Sequence, residues 1–174
     1  MRPIEGQFLT FSLQEQLYGI PVASVKEINQ ILEITEVPKS PAFMRGVINL
    51  RGKVIPVIDL RLKLDIPPID FSKQTCIIVI ESEVGEIGAI VDAVRSVVSF
   101  SHNQIQPPPD FGKSSDTSFI MGLGKSDQDI VILVDIVSCF SRLNISNIIS
   151  LPDTSIQNDD QFKEKGDLFD EQSA

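Results

Sequence analysis

Short apolar runs alternate with turn residues and charged residues along the first 143 positions of the chain. The runs are rich in Val, Ile, Leu and Phe, a composition that suits pleated β-strands better than helices. Two short helices are predicted, at residues 22–28 and 136–143. Many short strands with few helices indicate a mainly β protein of the barrel or sandwich type. Strands are predicted at residues 7–13, 17–22, 54–59, 75–82, 87–91, 97–101, 119–123 and 130–135.

Residues 46–60, GVINLRGKVIPVIDL, place a short polar segment between two apolar segments of strand character. This pattern predicts a β-hairpin. Gly52 is expected to supply the positive φ that a tight turn needs, and Arg51 is expected to project from the tip. As an ordinary turn residue Arg51 would simply be solvated; as part of a partner surface it would be held rigid by the flanking apolar segments.

The chain contains an internal repeat. Residues 19–28, GIPVASVKEI, resemble residues 88–97, GAIVDAVRSV, at an offset of 69. Residues 54–60, VIPVIDL, resemble residues 130–136, IVILVDI, at an offset of 76. Chance similarity between apolar strands is the alternative. The matched positions share residue character: Gly19 and Gly88, Val25 and Val94, Lys26 and Arg95, Ile28 and Val97, Gly46 and Gly122, and Asp59 and Asp135.

The repeat predicts two related β subdomains within one domain over residues 1–151, with repeat units near residues 17–60 and 86–136. A chain of 174 residues that is 42% hydrophobic is long enough for one such domain with a real core. Each unit alone is too small to bury much apolar surface, so the two units are expected to share an apolar seam.

Charge is unevenly distributed. The formal net charge is −9, and residues 152–174 hold seven acidic residues and two lysines. This tail has the composition of a disordered chain end, although Phe162, Leu168 and Phe169 offer an alternative, docking on a partner as a short helix. Residues 37–64 instead hold six basic residues and one acidic residue. Such a positive island suits either a negatively charged partner or an ordinary solvated face.

Candidate chemistries fail on residue type or spacing. The GKS at 124–126 imitates a phosphate-binding loop, but residue 119 is Phe where that motif needs glycine, and a strand follows. The lone His102 cannot form a zinc site or a histidine-based nucleophilic site. Strand-end capping or an ion pair explains Asp59 and Asp135 without catalysis. The sequence therefore predicts no catalytic residue, no metal site and no cofactor.

Cys76 and Cys139 lie in apolar runs and are assigned to the core as reduced thiols. The chain lacks a run of about 18 uncharged apolar residues and the layout of a signal peptide, so it is expected to be cytoplasmic, without membrane insertion. Two classes of function remain open at this point. One is an enzyme with an unrecognised site; the other is a nucleic-acid-binding β-barrel protein that would use the positive island, against which stand the acidic chain and its lack of Trp.

The chain contains, in this order, the blocks YGIPVASVKEI, VPKSPAFMRGVINLRGKVIPVIDLR, GAIVDAV, IQPPPDF and ILVDI. The order and spacing of these five blocks make the chain similar to the CheW family, the coupling proteins of bacterial chemotaxis. The resemblance spans about residues 8–143. It implies a fold of two five-stranded SH3-like β-barrels joined along a shared apolar seam, in agreement with the internal repeat.

The resemblance implies a non-catalytic adaptor. Family members bind the regulatory domain of the histidine kinase CheA and the cytoplasmic tip of methyl-accepting chemoreceptors, and contacts with other CheW-like domains are expected through exposed apolar edges. This chain is therefore expected to be recruited to membrane-associated receptor arrays. Glu27 is expected to pair with Arg51 and fix the hairpin tip. The positions that match the family's receptor-binding residues are Val25, Glu27, Gly46, Arg51 and Gly52.

Two features depart from the family pattern. Pro21 stands where a polar residue is common, so it should lie at the edge or end of a strand, and the tail after Pro152 exceeds the core motifs. A coupling protein of another chemosensory array, such as one for twitching motility, shares the same barrels and remains an alternative. The chain shows no receiver or kinase domain, which argues against the fused relatives.

Overall fold

The computed structural model describes residues 4–83, 85–110 and 117–140, so the predictions for the acidic tail lie outside the described residues. Two short helices, α1 (Leu60–Lys63) and α2 (Ile136–Phe140), each follow a strand of the described chain. The strands of the described chain are β1 (Gly6–Leu13), β2 (Gln16–Pro21), β3 (Val25–Gln30), β4 (Met44–Leu50), β5 (Lys53–Asp59), β6 (Cys76–Ser82), β7 (Gly85–Val91), β8 (Ala93–Phe100), β9 (Ile105–Gln106), β10 (Ile120–Lys125) and β11 (Ile130–Val134).

The strands form two sheets. One has the order β8-β1-β2-β11-β10-β9 and the other the order β3-β6-β7-β5-β4. The prediction of a mainly β fold with two small subdomains and few helices is confirmed. The first sheet has a sixth strand, the two-residue β9, beyond the five expected, and both strand orders are linear within the described residues rather than closed into barrels.

The two sheets are built in the same way. Each contains one parallel pair, β2 with β11 and β7 with β5, and antiparallel pairs elsewhere. Gly19 faces Leu133 in the first sheet, and Gly88 faces Val57 in the second, as the two sequence offsets require. Neither repeat unit matches one sheet, however, because β2 and β7 each pair in the sheet formed mainly by the other unit. This exchange of strands links the two halves.

Three apolar clusters form the core of the protein. One lies within the five-stranded sheet and includes Ile48, Ile55 and Val57, and a second lies within the six-stranded sheet and includes Phe8 and Phe100. The largest cluster takes residues from both sheets and forms the expected apolar seam. Its members include Phe11, Tyr18, Ile20, Ile58, Ile78, Ile80, Ile87, Val91, Val134 and Ile136.

The helix predicted at residues 22–28 is wrong. Only Val22–Ser24 forms a short 3-10 helix, and β3 follows. Half-buried and exposed positions alternate along β3, and its pairing with β6 overrides the helical interpretation. The second helix begins at Ile136 and extends to Phe140, the last residue that the structure describes. Pro21 ends β2, as predicted.

Candidate functional site

The predicted hairpin is formed by β4 and β5, with Leu50 paired to Lys53. Its two-residue turn consists of Arg51, with φ of 52°, and Gly52, with φ of 85°. Positive φ at both central residues is the geometry that matches the twist of the flanking strands. The Gly52 amide donates to Asn49 Oδ1 at 2.9 Å, which closes the turn. The positive φ predicted for Gly52 is confirmed; that of Arg51 was not expected.

Glu27 on β3 forms the expected ion pair with Arg51: Arg51 Nη2 donates to Glu27 Oε2. Asn29 Nδ2 donates to the other oxygen, Glu27 Oε1, at 2.8 Å. Hydrogen bonding by Arg51, and then by Asn29, holds the pKa of Glu27 below its ordinary value. The pair joins the tip of the hairpin to the opposite edge of the five-stranded sheet, because β3 and β4 are its two outer strands.

A second set of ion pairs lies beside the first. Glu86 on β7 accepts at Oε1 from Lys26 Nζ and from Lys53 Nζ, the latter at 3.0 Å. Hydrogen bonds from Lys26 and then from Lys53 lower the pKa of Glu86. Sequence reasoning missed Glu86 altogether. Its only local signal is a carboxylate at the start of a strand, while both lysines are distant in sequence.

The five candidate receptor residues have different positions. Glu27, Arg51 and Gly52 lie together at the hairpin tip, and Val25 is half-buried at the start of β3. Gly46 is buried in β4 with φ of 142°. A Cβ atom there would lie 2.0 Å from the Thr35 carbonyl oxygen. Gly46 therefore allows the chain at Thr35 to approach β4, whereas the space at Gly52 is open.

The positive island does not form one basic surface. Arg51 and Lys53 pair with Glu27 and Glu86, which come from other parts of the chain. Arg61 is buried, with its side chain 1% exposed. The fold thus places half of the island's cations in ion pairs or in the interior, so they do not form the continuous basic surface that a nucleic-acid site needs.

Arg61 instead organises the interior where the two halves meet. Its guanidinium bonds to Asp59 on β5, to Asp92 between β7 and β8 at 3.1 Å, and to the Ile69 carbonyl at 2.7 Å. Asp92 Oδ2 in turn accepts a hydrogen bond from the backbone N–H of Gln14 in the β1–β2 turn. One buried cation therefore links elements of both sheets.

The two aspartates considered as catalytic candidates have structural partners. Asp59 Oδ1 accepts from the Arg61 amide at the start of α1, and Asp135 accepts from the Ser138 amide and hydroxyl at the start of α2. Each aspartate therefore caps the N-terminus of the helix that follows its strand. Within the described ranges, no cluster of His, Cys, Asp and Glu is arranged to hold a metal ion.

The remaining sequence candidates have ordinary positions. Lys125 and Ser126, from the GKS stretch, lie at the end of β10 and in the turn after it. Cys76 and Cys139 are buried and reduced, as predicted, and His102 is exposed in a short 3-10 helix. None of the described helices has the length and apolarity needed to cross a bilayer.

Two equivalent sheets around a common apolar cluster, with a charged hairpin tip, define a small two-part β domain. The CheW-like domain family matches residues 7–144. Chemotaxis protein CheW of Klebsiella aerogenes is 36% identical over 135 residues, covering 78% of this chain and 81% of that protein. Chemotaxis protein CheW of Thermotoga maritima is 35% identical over 144 residues, covering 81% and 91%.

A solved structure agrees with this relationship. The crystal structure of scaffolding protein TtCheW from Thermoanaerobacter tengcongensis superposes with a TM-score of 0.72 at 38% identity. The match covers 79% of this chain and 94% of that one. The chain belongs to the CheW family.

Proposed function

We propose that this chain is a non-catalytic adaptor that couples chemoreceptors to a CheA-type histidine kinase in chemotaxis signal transduction. The observation that carries the proposal is the family match over residues 7–144, whose relatives are named chemotaxis protein CheW. An adaptor needs stable surfaces and no reacting groups. The structural roles of Asp59, Asp135 and the buried thiols are consistent with that requirement.

On the receptor side, we assign the hairpin tip to the cytoplasmic tip of a methyl-accepting chemoreceptor. Glu27, Arg51 and Gly52 form the contact surface, Val25 supports it, and Gly46 shapes the strand behind it. A tip fixed by a tight turn and an ion pair loses little conformational entropy on binding. A groove of mixed polarity, lined by Ile31, Leu32, Ile34, Glu36, Arg45 and Phe71, lies beside Gly46.

On the kinase side, two pairs of exposed apolar residues support contacts with CheW-like domains. Ile28 and Val97 match at the repeat offset of 69 and are 44% and 52% exposed. Val54 and Ile130 match at the offset of 76 and are 59% and 58% exposed. The two halves thus present equivalent apolar positions, which suits an adaptor that binds the kinase regulatory domain and further CheW-like domains in an array. We propose that the protein is cytoplasmic and is recruited to receptor arrays.

Co-sedimentation tests this function. The cognate kinase is mixed with receptor-containing membranes, with and without the protein, and kinase activity is measured in the same tubes with and without attractant. The adaptor should bring kinase into the pellet and make its activity respond to attractant. Binding to neither component would contradict the proposal and favour a different array, such as one for twitching motility.

Two variants separate the proposed surfaces. Arg51→Ala should reduce sedimentation of the adaptor itself. Val97→Glu should leave the adaptor on the membranes and reduce the kinase in the pellet, because a charge on an apolar contact is expensive to desolvate. If Val97→Glu also removes the adaptor from the membranes, or if Arg51→Ala leaves the adaptor there, the assignment of two separate surfaces is wrong.

A further inference from the structure

The charges around the hairpin tip are layered by sign. We call Lys26, Glu27, Arg51, Lys53 and Glu86 the tip cluster. The cation side chains are the more exposed, at 68% for Arg51, 68% for Lys53 and 37% for Lys26, while those of Glu27 and Glu86 are 23% and 13% exposed. The carboxylates therefore lie beneath the cations, and the cluster presents positive charge to solvent although the whole chain is acidic.

Glu86 ties together two segments that are separate in the sheet. It forms ion pairs with Lys53 on the neighbouring strand β5 and with Lys26 on β3, which is separated from β7 by β6. The β3–β6 register shifts between Val25 and Glu27, so Lys26 is the extra residue of a β-bulge. A bulge re-aims side chains out of regular alternation. Lys26 and its neighbour Glu27 consequently both reach partners in the tip cluster.

The second half of the protein lacks this arrangement. At the repeat offset of 76, Asp127 corresponds to Arg51 and Asp129 to Lys53. At the offset of 69, Leu17 corresponds to Glu86. Two hairpins of related construction therefore carry opposite charges at their tips. Because the second hairpin forms without such a cluster, the backbone architecture does not require it. The charge pattern of the tip cluster is therefore explained by the partner that the first hairpin binds.

We infer that the tip cluster docks carboxylate side chains of a receptor helix, and that Glu86 is the positioning residue that holds Lys26 and Lys53 in place for them. This inference rests on the adaptor function proposed above and adds the chemistry of the partner surface. Cations fixed from below by a recessed acid bind an acidic surface with less loss of side-chain freedom than free lysines do. Charge complementarity of this kind also selects the partner.

The test compares Glu86→Gln with Glu81→Gln. Glu81 lies opposite Glu86 in the β6–β7 register and is exposed, so both variants remove one negative charge from the same part of the sheet. Binding to the cytoplasmic fragment of the cognate receptor is measured at low and high salt. If only net charge mattered, both changes would strengthen binding to an acidic partner. Positioning predicts that Glu86→Gln weakens binding about three- to tenfold, that Glu81→Gln does not, and that salt weakens wild-type binding.

Hydrogen exchange at the Gly52 amide, which closes the turn onto Asn49, gives a readout without receptor. Exchange should become faster in Glu86→Gln and stay unchanged in Glu81→Gln. Wild-type protein that binds no receptor fragment would contradict the adaptor function, while the exchange result still decides the role of Glu86. Normal receptor binding by Glu86→Gln, salt-independent binding, or a loss that accompanies global destabilisation would overturn the inference and leave the adaptor function intact.

Discussion

Arg61 and Asp59 are two residues apart and form a forked ion pair in the protein interior. Arg61 Nη2 lies 2.8 Å from Asp59 Oδ2, and Arg61 Nε lies 2.9 Å from Asp59 Oδ1. Asp59 is 0% exposed, and Asp92 completes the network from the other side of the guanidinium. The network therefore fixes the end of β5 and the crossover between the two sheets at one point.

Replacing Arg61 should destabilise the fold strongly. Arg61→Leu leaves the Asp59 and Asp92 carboxylates buried without a cation, and we expect a loss of about 3–5 kcal/mol in the free energy of unfolding. Urea denaturation measures it. Lys63→Leu is the control, because Lys63 lies over the Phe43 ring and has no ion pair among the described residues. A loss for Arg61→Leu no larger than for Lys63→Leu would show that the buried network contributes little.

The two glycines of the candidate site should respond differently to alanine. At Gly46, the added Cβ meets the Thr35 carbonyl and the backbone has a glycine-specific φ, so Gly46→Ala should destabilise the protein by about 2–4 kcal/mol. At Gly52 only the left-handed φ is unfavourable, and Gly52→Ala should cost about 1–2 kcal/mol. Thermal and urea unfolding of the two variants measures the difference. Equal losses would mean that Thr35 can move away from β4.

Arg51→Ala should lower receptor affinity with little change in melting temperature. Arg51 is exposed and its ion pair is on the surface, where such pairs contribute little to folding. We expect about a tenfold loss of affinity for the receptor fragment. Lys39→Ala is the control, because Lys39 is another exposed cation of the positive island at residues 37–64. Normal affinity combined with a large loss of stability would reverse the proposed role.

A double-mutant cycle separates the contribution of the Glu27–Arg51 ion pair to receptor binding from the contributions of the two single residues. Glu27→Ala, Arg51→Ala and the double variant are compared in receptor binding. A contribution of the pair to tip geometry gives a measurable coupling free energy, because each single change already removes the interaction. Strictly additive effects would indicate that Glu27 and Arg51 act independently.

The Glu27 carboxyl should titrate below its ordinary pKa of 4.5. A lowered pKa in the folded state means that the pair stabilises the fold above the unfolded-state pKa and that this contribution is lost as pH falls through the folded-state value. NMR of the carboxyl carbon measures the titration directly. In Arg51→Ala the pKa of Glu27 should rise towards 4.5, while the pKa of Glu86 stays low because its lysines remain. No change at Glu27 would place the cause elsewhere.

Strands and the hairpin were largely predictable because their signals are local. Residues 46–60 carry both the apolar pattern of β4 and β5 and the glycine that their turn requires. The helix predicted at residues 22–28 was wrong because a 3-10 helix and a short bulged strand combine in this segment. No single periodicity describes such a segment.

The β character, the turn at Arg51 and Gly52, the repeat and the family can all be inferred from neighbouring residues or from the order of motifs along the chain. The exchange of β2 and β7 between the sheets, the burial of Arg61, and the link that Glu86 makes between Lys26 and Lys53 appear only in the folded protein. Those contacts link residues far apart in the chain. A cation's exposure and charge partner therefore depend on which distant segments the folded backbone brings to it.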